Sequence, residues 1–285
     1  MKSPYLTHFR KQLSELNNRL SHYIFVWEQF AQDNGDKLDK KRKKQTTEIY
    51  PDNRFAKQYD VKLEILAGLH DQTSSFILKS LYILMYTEFE VYMRNVYELA
   101  RKVKRELRDL TIQARVPDRV FEFLNLELET VFDQKERWTF DYFRHRRNRL
   151  VHTGGQSKGE MINIIKNHGN ALQKYWNEEL TRGLFGADFQ SEQIDQFSKE
   201  EIFDFINIWR KLVAKIDQII CLTIEEDKFI KYIYPIFLEE RAVDVKRWGP
   251  KRTAVKFAVF CKMNYGLDLT GEQLEDLDNK NGEVA

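Results

Sequence analysis

Residues 144 to 155 read Arg144-His145-Arg146-Arg147-Asn148-Arg149-Leu150-Val151-His152-Thr153-Gly154-Gly155. Four arginines, an asparagine and two histidines close a segment whose apolar residues recur at helical spacing, whereas an ordinary solvated face mixes both charge signs. Stepping by three and four, Phe140, Phe143, Leu150 and Val151 form a stripe. Arg147 takes the place in it where a hydrophobe is expected, so it needs a partner. One step round the helix, Asp141, His145, Asn148 and His152 share a second stripe, which sets Asn148 beneath His152, where it can orient the ring. Thr153-Gly154-Gly155 supplies small residues for a left-handed cap. His152 is therefore expected in the last turn, where the negative end of the helix dipole favours imidazolium and keeps its titration near neutral pH.

The flanking sequence predicts helices almost throughout. Ser3 or Thr7 is placed to cap a first helix to about Gln32, with Leu13, Leu16, Leu20, Tyr23, Ile24 and Trp27 on one face and a stop at Asn34-Gly35. Lys37 to Lys44 is a basic run that reads as an exposed loop, with RNA phosphate contact as the functional alternative. A short helix over Val61 to Gly68 leads into a long one from Ser75 to Arg105. Val120 to Phe132, Lys135 to His152, Glu160 to Leu180 and Ile202 to Ile220 follow as further helices, with Gly183 to Ser198 an irregular connection. Beyond Ile224 the pattern changes: Pro235 interrupts Tyr232 to Phe237, Trp248-Gly249-Pro250 marks a turn, and Leu274 to Ala285 reads as a fraying end. Three segments result: residues 1–60 as an N-terminal helix and basic loop, 61–225 as a bundle, and 226–285 as an appendage.

Arg147-Asn148-Arg149-Leu150-Val151-His152 resembles the R-x4-6-H motif of HEPN ribonucleases, including the polar residue directly after the arginine. The phrase Leu81-Tyr82-Ile83-Leu84-Met85-Tyr86-Thr87-Glu88-Phe89-Glu90-Val91-Tyr92 looks like the apolar, acid-bearing second helix of that family, and Ile202 to Ile220 like the helix that closes its bundle. The resemblance spans about Val61 to Ile224. It implies an all-α, up-and-down helical bundle, here with extra helical segments at both ends. It also implies a homodimer that brings Arg147 and His152 of both copies into one cleft, and a metal-independent endoribonuclease of the toxin or phage-defence kind. Glu90, near the apolar stripe of its helix, is a candidate for orienting Arg147 or His152; a partly exposed acid with no such role is the other reading.

The chemistry such a set supports follows from its residue types. RNA carries its own nucleophile, the 2′-hydroxyl. A cleaving site needs a base, an acid for the departing 5′-oxygen, and positive charge on the phosphate. One His152 as base, its mate as acid and paired Arg147 groups would supply all three, leaving 2′,3′-cyclic phosphate and 5′-hydroxyl ends. Arg144, Arg146 and Arg149 are the candidate RNA contacts. For the enzyme, an antitoxin or regulatory protein is a further expected partner; two alternatives keep the fold and drop the enzyme, a non-catalytic dimeric module that binds RNA, nucleotide or a partner protein, and an arginine cluster serving only as an interface.

Composition narrows the rest. The chain has 46 basic and 44 acidic side chains, a formal charge of +2, so RNA affinity must come from local clusters. Cys221 and Cys261 lie in apolar contexts without ligand spacing and read as core thiols of a reducing compartment. No apolar run approaches a membrane span and no leader opens the chain; a cytoplasmic protein with no cofactor is expected. Asp141, His145, Asn148 and His152 have the spacing of metal ligands, but four interleaved arginines repel a cation, and no metal is assigned.

Overall fold

Leu6, Phe9, Leu13, Leu16 and Leu20, spaced by three and four, are all buried along the first helix. The computed structural model describes residues 1–111, 116–151 and 156–282. The protein is all-α, 76% helical. Among the described residues the helices are α1 Pro4–Lys40, α2 Thr46–Ile49, α3 Leu63–Val103, α4 Val116–Phe123, α5 Leu128–Val131, α6 Gln134–Val151, α7 Gln156–Glu179, α8 Lys199–Leu222, α9 Glu226–Glu240, α10 Ala242–Trp248, α11 Pro250–Tyr265 and α12 Gly271–Gly282.

Several helices run on where the sequence predicts a stop. α1 continues through Gly35, whose cost of about 1 kcal/mol against alanine is small for a helix this long. Asn34 is held by the helix, donating to the Phe30 carbonyl at 3.0 Å and accepting from Lys37 and from the Tyr50 hydroxyl at 3.3 and 3.1 Å. Lys37 and Lys40 therefore belong to the last turns of α1, where the helix dipole favours cations. α3 likewise passes through Gly68 as one helix. The expected helix over Val120 to Phe132 is instead two short ones, because Asn125 adopts a left-handed φ of 54°, a conformation asparagine tolerates better than most side chains. Pro235 sits inside α9 without ending it. The apolar face of Phe229, Ile230, Ile233, Tyr234 and Phe237 is buried, and Tyr234 and Phe237 lie 4.8 and 5.2 Å from the Phe257 ring of α11. That packing outweighs one missing backbone hydrogen bond.

The chain forms two compact units from interleaved stretches: Met1–Gln12, Thr87–Arg137 and Trp209–Ala285 make one, Leu13–Tyr86 and Trp138–Ile208 the other. In the first, the Phe89 ring lies tilted 4.4 Å from Trp209 and Phe9 lies 5.6 Å from Tyr92. Its buried polar centre is Asp217, which accepts hydrogen bonds from the Ser3 amide at 2.8 Å, the Ser3 hydroxyl and the Tyr92 hydroxyl at 3.0 Å. Ser3 in turn accepts from the Leu6 amide at 3.2 Å, so the side chain that starts α1 is anchored by an acid of α8. In the second unit Tyr82, Tyr142, Phe143, Phe189 and Phe205 form an aromatic core, and the Tyr82 hydroxyl donates to the Phe143 carbonyl at 3.1 Å.

Burial pushes the Asp217 carboxyl above its ordinary 3.8, against the pull of the hydrogen bonds from Ser3, Tyr92 and Cys221. A carboxyl raised on folding contributes stability that is complete below the unfolded value and is lost as pH rises through the folded one. Asp217→Asn removes that titration. The melting temperature of the variant minus that of the wild type should therefore climb as pH is raised from about 4 to 7. A flat difference in scanning calorimetry would show that Asp217 titrates at its ordinary value.

Candidate functional site

α6 begins at a capped turn: Glu136 accepts from the Asp133 amide and Asp133 from the Lys135 amide, both at 2.8 Å. Along it, Glu136, Thr139, Tyr142, Phe143 and Arg146 are the buried positions. The inward stripe is thus turned about one residue from the one the apolar pattern predicts. Phe140, Arg147 and Leu150 are half-buried and Val151 is 44% exposed. Arg146, not Arg147, is the arginine of the core.

Arg146 is 2% exposed and uses every donor it has. Nε donates to the Ile194 carbonyl at 3.0 Å. Nη1 donates to the Tyr142 hydroxyl at 2.9 Å and to Glu201 at 2.5 Å, and Nη2 to Glu201 at 3.2 Å and the Gln196 carbonyl at 2.8 Å. The guanidinium carbon lies 4.0 Å from the Phe197 ring centre. Burial lifts the Glu201 carboxyl above the usual range, against the attraction of Arg146. At Arg146 burial works against the charge, but Tyr142 and Glu201 outweigh it and hold the guanidinium protonated. Burial also pushes the Tyr142 hydroxyl up to about 12. The Arg146 side chain has no donor left for a phosphate, which corrects its expected role in RNA contact.

Three of the groups around Arg146, the Ile194 and Gln196 carbonyls and the Phe197 ring, come from a connection without regular structure, residues 180–198, and that connection is itself tied down. One carboxylate oxygen of Asp204 accepts from the successive amides of Phe185, Gly186 and Ala187 at 2.8, 2.7 and 2.8 Å. A Cβ at Gly186 would come within 2.3 Å of the Glu200 Cβ and 2.8 Å of the Glu201 amide, so only glycine permits this approach to α8. Gln173 of α7 holds the next residues, accepting from the Phe189 amide at 2.9 Å and donating to the Ala187 carbonyl at 3.0 Å.

The remaining candidates sit around the same helix with different surroundings. Arg147 donates to the Asn148 side-chain oxygen at 3.2 Å, and its guanidinium lies 5.8 Å from the Tyr86 ring centre. Arg144 pairs with Asp141 at 2.7 Å and donates to His145 Nε2 at 3.1 Å. Arg149 reaches Asp195 at 3.4 Å. His145 Nδ1 is 2.9 Å from a Glu160 carboxylate oxygen. Burial lowers the pKa of His145, Arg144 lowers it further, and Glu160 opposes both. Arg144 thus bridges Asp141 and His145, while Asn148 is engaged by Arg147. Glu90 is half-buried. His152 lies outside the described residues.

Among the described residues no group of three or more His, Cys, Asp or Glu is placed to hold a metal ion, and no helix is long and apolar enough to cross a membrane. Sequence reasoning misses Glu201, Asp204 and Phe197. Ser198-x-x-Glu201 has the spacing of a capping box, and Ser198 does accept from the Glu201 amide at 3.0 Å, but the Glu201 carboxylate faces Arg146. Compared with models of known protein families, with curated proteins and with solved structures, the chain matches none.

Arg146→Ala should strand the Glu201 carboxylate and cost about 3–5 kcal/mol of stability in urea unfolding. Arg146→Lys should also destabilise, because an ammonium cannot reproduce the fork. Arg146→Met combined with Glu201→Leu should recover most of the loss. A fully stable Arg146→Ala protein would overturn the structural role.

Proposed function

We propose that the protein is a metal-independent endoribonuclease of the HEPN kind, in which Arg147 and His152 act on the scissile phosphate and Asn148 positions them. One observation carries the reading. Of two adjacent arginines, Arg146 is consumed by the core, while Arg147 is half-buried at the C-terminal end of α6 beside Asn148, five residues before His152 in sequence. A guanidinium so placed, its rotamer restrained by Asn148 and the Tyr86 ring, is suited to stabilise charge that develops on a phosphate. His152 would take the 2′-hydroxyl proton in one copy and protonate the leaving 5′-oxygen in the other, which requires a homodimer. Arg144 and Arg149, each tied to one acid and partly exposed, are the candidate RNA-binding side chains that remain once Arg146 is set aside. A toxin or phage-defence effector, held in check by an antitoxin or another regulatory protein, is the biological role this reading favours. A non-catalytic RNA- or nucleotide-binding module is the outcome if no cleavage occurs.

Purified protein incubated with total RNA in EDTA should generate 5′-hydroxyl and 2′,3′-cyclic phosphate ends. His152→Ala should reduce the single-turnover rate at least ~10²-fold with RNA affinity largely kept. Arg147→Ala should lower the saturated rate, whereas Arg144→Ala or Arg149→Ala should instead reduce the salt slope of binding by about one for every phosphate the arginine had neutralised. Unchanged cleavage by the His152 variant sinks the assignment. A protein that scatters light only as the 34.2 kDa monomer, with and without RNA, sinks the shared cleft.

A further inference from the structure

A second site lies on the stretch that joins α1 to α3. Phe30, Tyr50, Phe55 and Tyr59 line a cleft of about 310 Å³, with Asn53 and Leu66 completing its walls. Phe55 is 52% exposed and Tyr59 43% exposed, an unusual cost for large rings in so short a segment. The segment is firmly built. The Thr46 amide donates to the Val61 carbonyl at 2.8 Å, the Leu63 amide to the Lys44 carbonyl and the Glu64 amide to the Arg42 carbonyl, both at 3.1 Å. Thr46 Oγ1 donates to the Tyr59 carbonyl at 2.6 Å. The rings are therefore presented by a fixed backbone.

The charge at the rim is one-sided. Residues 37–44 hold six basic side chains and one acidic, in a chain whose net charge is only +2. The backbone bonds of Arg42 and Lys44 to the start of α3 bring this run beside the cleft walls at Thr46 and Leu66. Among the neighbouring acids, Asp36 pairs with Lys40, Glu48 with Lys44, and Asp60 accepts from Thr47, while Asp39, Asp52 and Glu64 are exposed. Lys41, Arg42 and Lys43 are exposed and pair with no acid among the described residues. Two cations lie over the rings themselves, Lys37 of this run at 5.5 Å from the Tyr50 centre and Arg54 at 4.6 Å from that of Phe55. Asn53, which lines the cleft, accepts from the Phe55 amide at 2.9 Å with its oxygen, so its amide nitrogen is the group that can donate to a ligand.

Aromatic walls beside an excess of exposed cations match one ligand chemistry: an unpaired nucleobase whose backbone carries phosphates. We propose that this cleft binds single-stranded nucleic acid, with a base stacked against Phe55 and Tyr59, the flanking phosphates on Lys41, Arg42 and Lys43, and the Asn53 amide at the base edge. The site includes no residue of α6 and requires no cleavage.

The test uses the full chain and a fluorescein-labelled single-stranded deoxyoligonucleotide of about ten nucleotides, which lacks the 2′-hydroxyl and survives whether or not the protein cuts RNA. Fluorescence anisotropy should show saturable binding. Phe55→Ala and Tyr59→Ala should each weaken it about tenfold, the worth of one stacked base. Lys41→Ala or Lys43→Ala should lower the salt slope by about 0.7 for each phosphate the lysine had neutralised. Both rings are exposed, so circular dichroism of these variants should match the wild type. On unmodified protein, an iodouracil-bearing oligonucleotide should photocrosslink within residues 50–59. Unchanged affinity of the ring variants, equal competition by duplex or by polyglutamate, or crosslinks that map elsewhere would each overturn the proposal; polyglutamate competition would point to an acidic protein surface as the ligand.

Discussion

The Arg146 guanidinium is the constraint on which the second compact unit depends. Five donors in a rigid fork need five acceptors in fixed directions, and they are drawn from α6, α8 and the irregular connection before α8. A buried charge this completely satisfied contributes little net stability against a hydrophobic alternative. Its effect is geometric: with any acceptor out of place, an uncompensated charge or an orphaned donor remains in the core. Residues 180–198 lack the ladder of a helix or strand, and Arg146 together with Asp204 supplies hydrogen bonds in its stead.

The same interaction sets the phase of α6, and through it the proposed catalytic residues. Once Arg146 points inward, successive steps of about 100° carry Arg147, Asn148 and Arg149 round to other faces. Arg147 comes to rest against Tyr86 and Asn148, near the surface and not within the core. The arginine cluster therefore divides into one structural member and three with partial exposure, a division its composition does not reveal. Arg144 and Arg149, tied to Asp141 and Asp195, carry less uncompensated charge than their number implies.

The connection between α1 and α3 follows a different principle. Its cations are left exposed and its rings are left at the surface, held there by backbone hydrogen bonds and not by side-chain burial. Rigid presentation of exposed aromatic surface reduces the ordering cost a ligand would otherwise meet on binding.

Sequence alone determined the helical class, because apolar residues spaced by three and four over most of the chain can bury one face only as helices. It also located the α6 and α8 helices to within a few residues, and the irregular character of Gly183 to Ser198. It placed helix ends less well at Gly35, Gly68 and Pro235, since a local preference of about 1–3 kcal/mol is overridden by the packing of a long amphipathic face. The inward face of α6 was out of its reach. An apolar stripe broken by neighbouring arginines admits two phases one residue apart, and the choice falls to Glu201, 55 residues away in the chain, and to the carbonyls of Ile194 and Gln196. Only the tertiary structure brings those acceptors to one guanidinium, because their positions depend on Gly186 approaching α8 and on Asp204 gathering three amides, neither of which leaves a periodic trace in sequence.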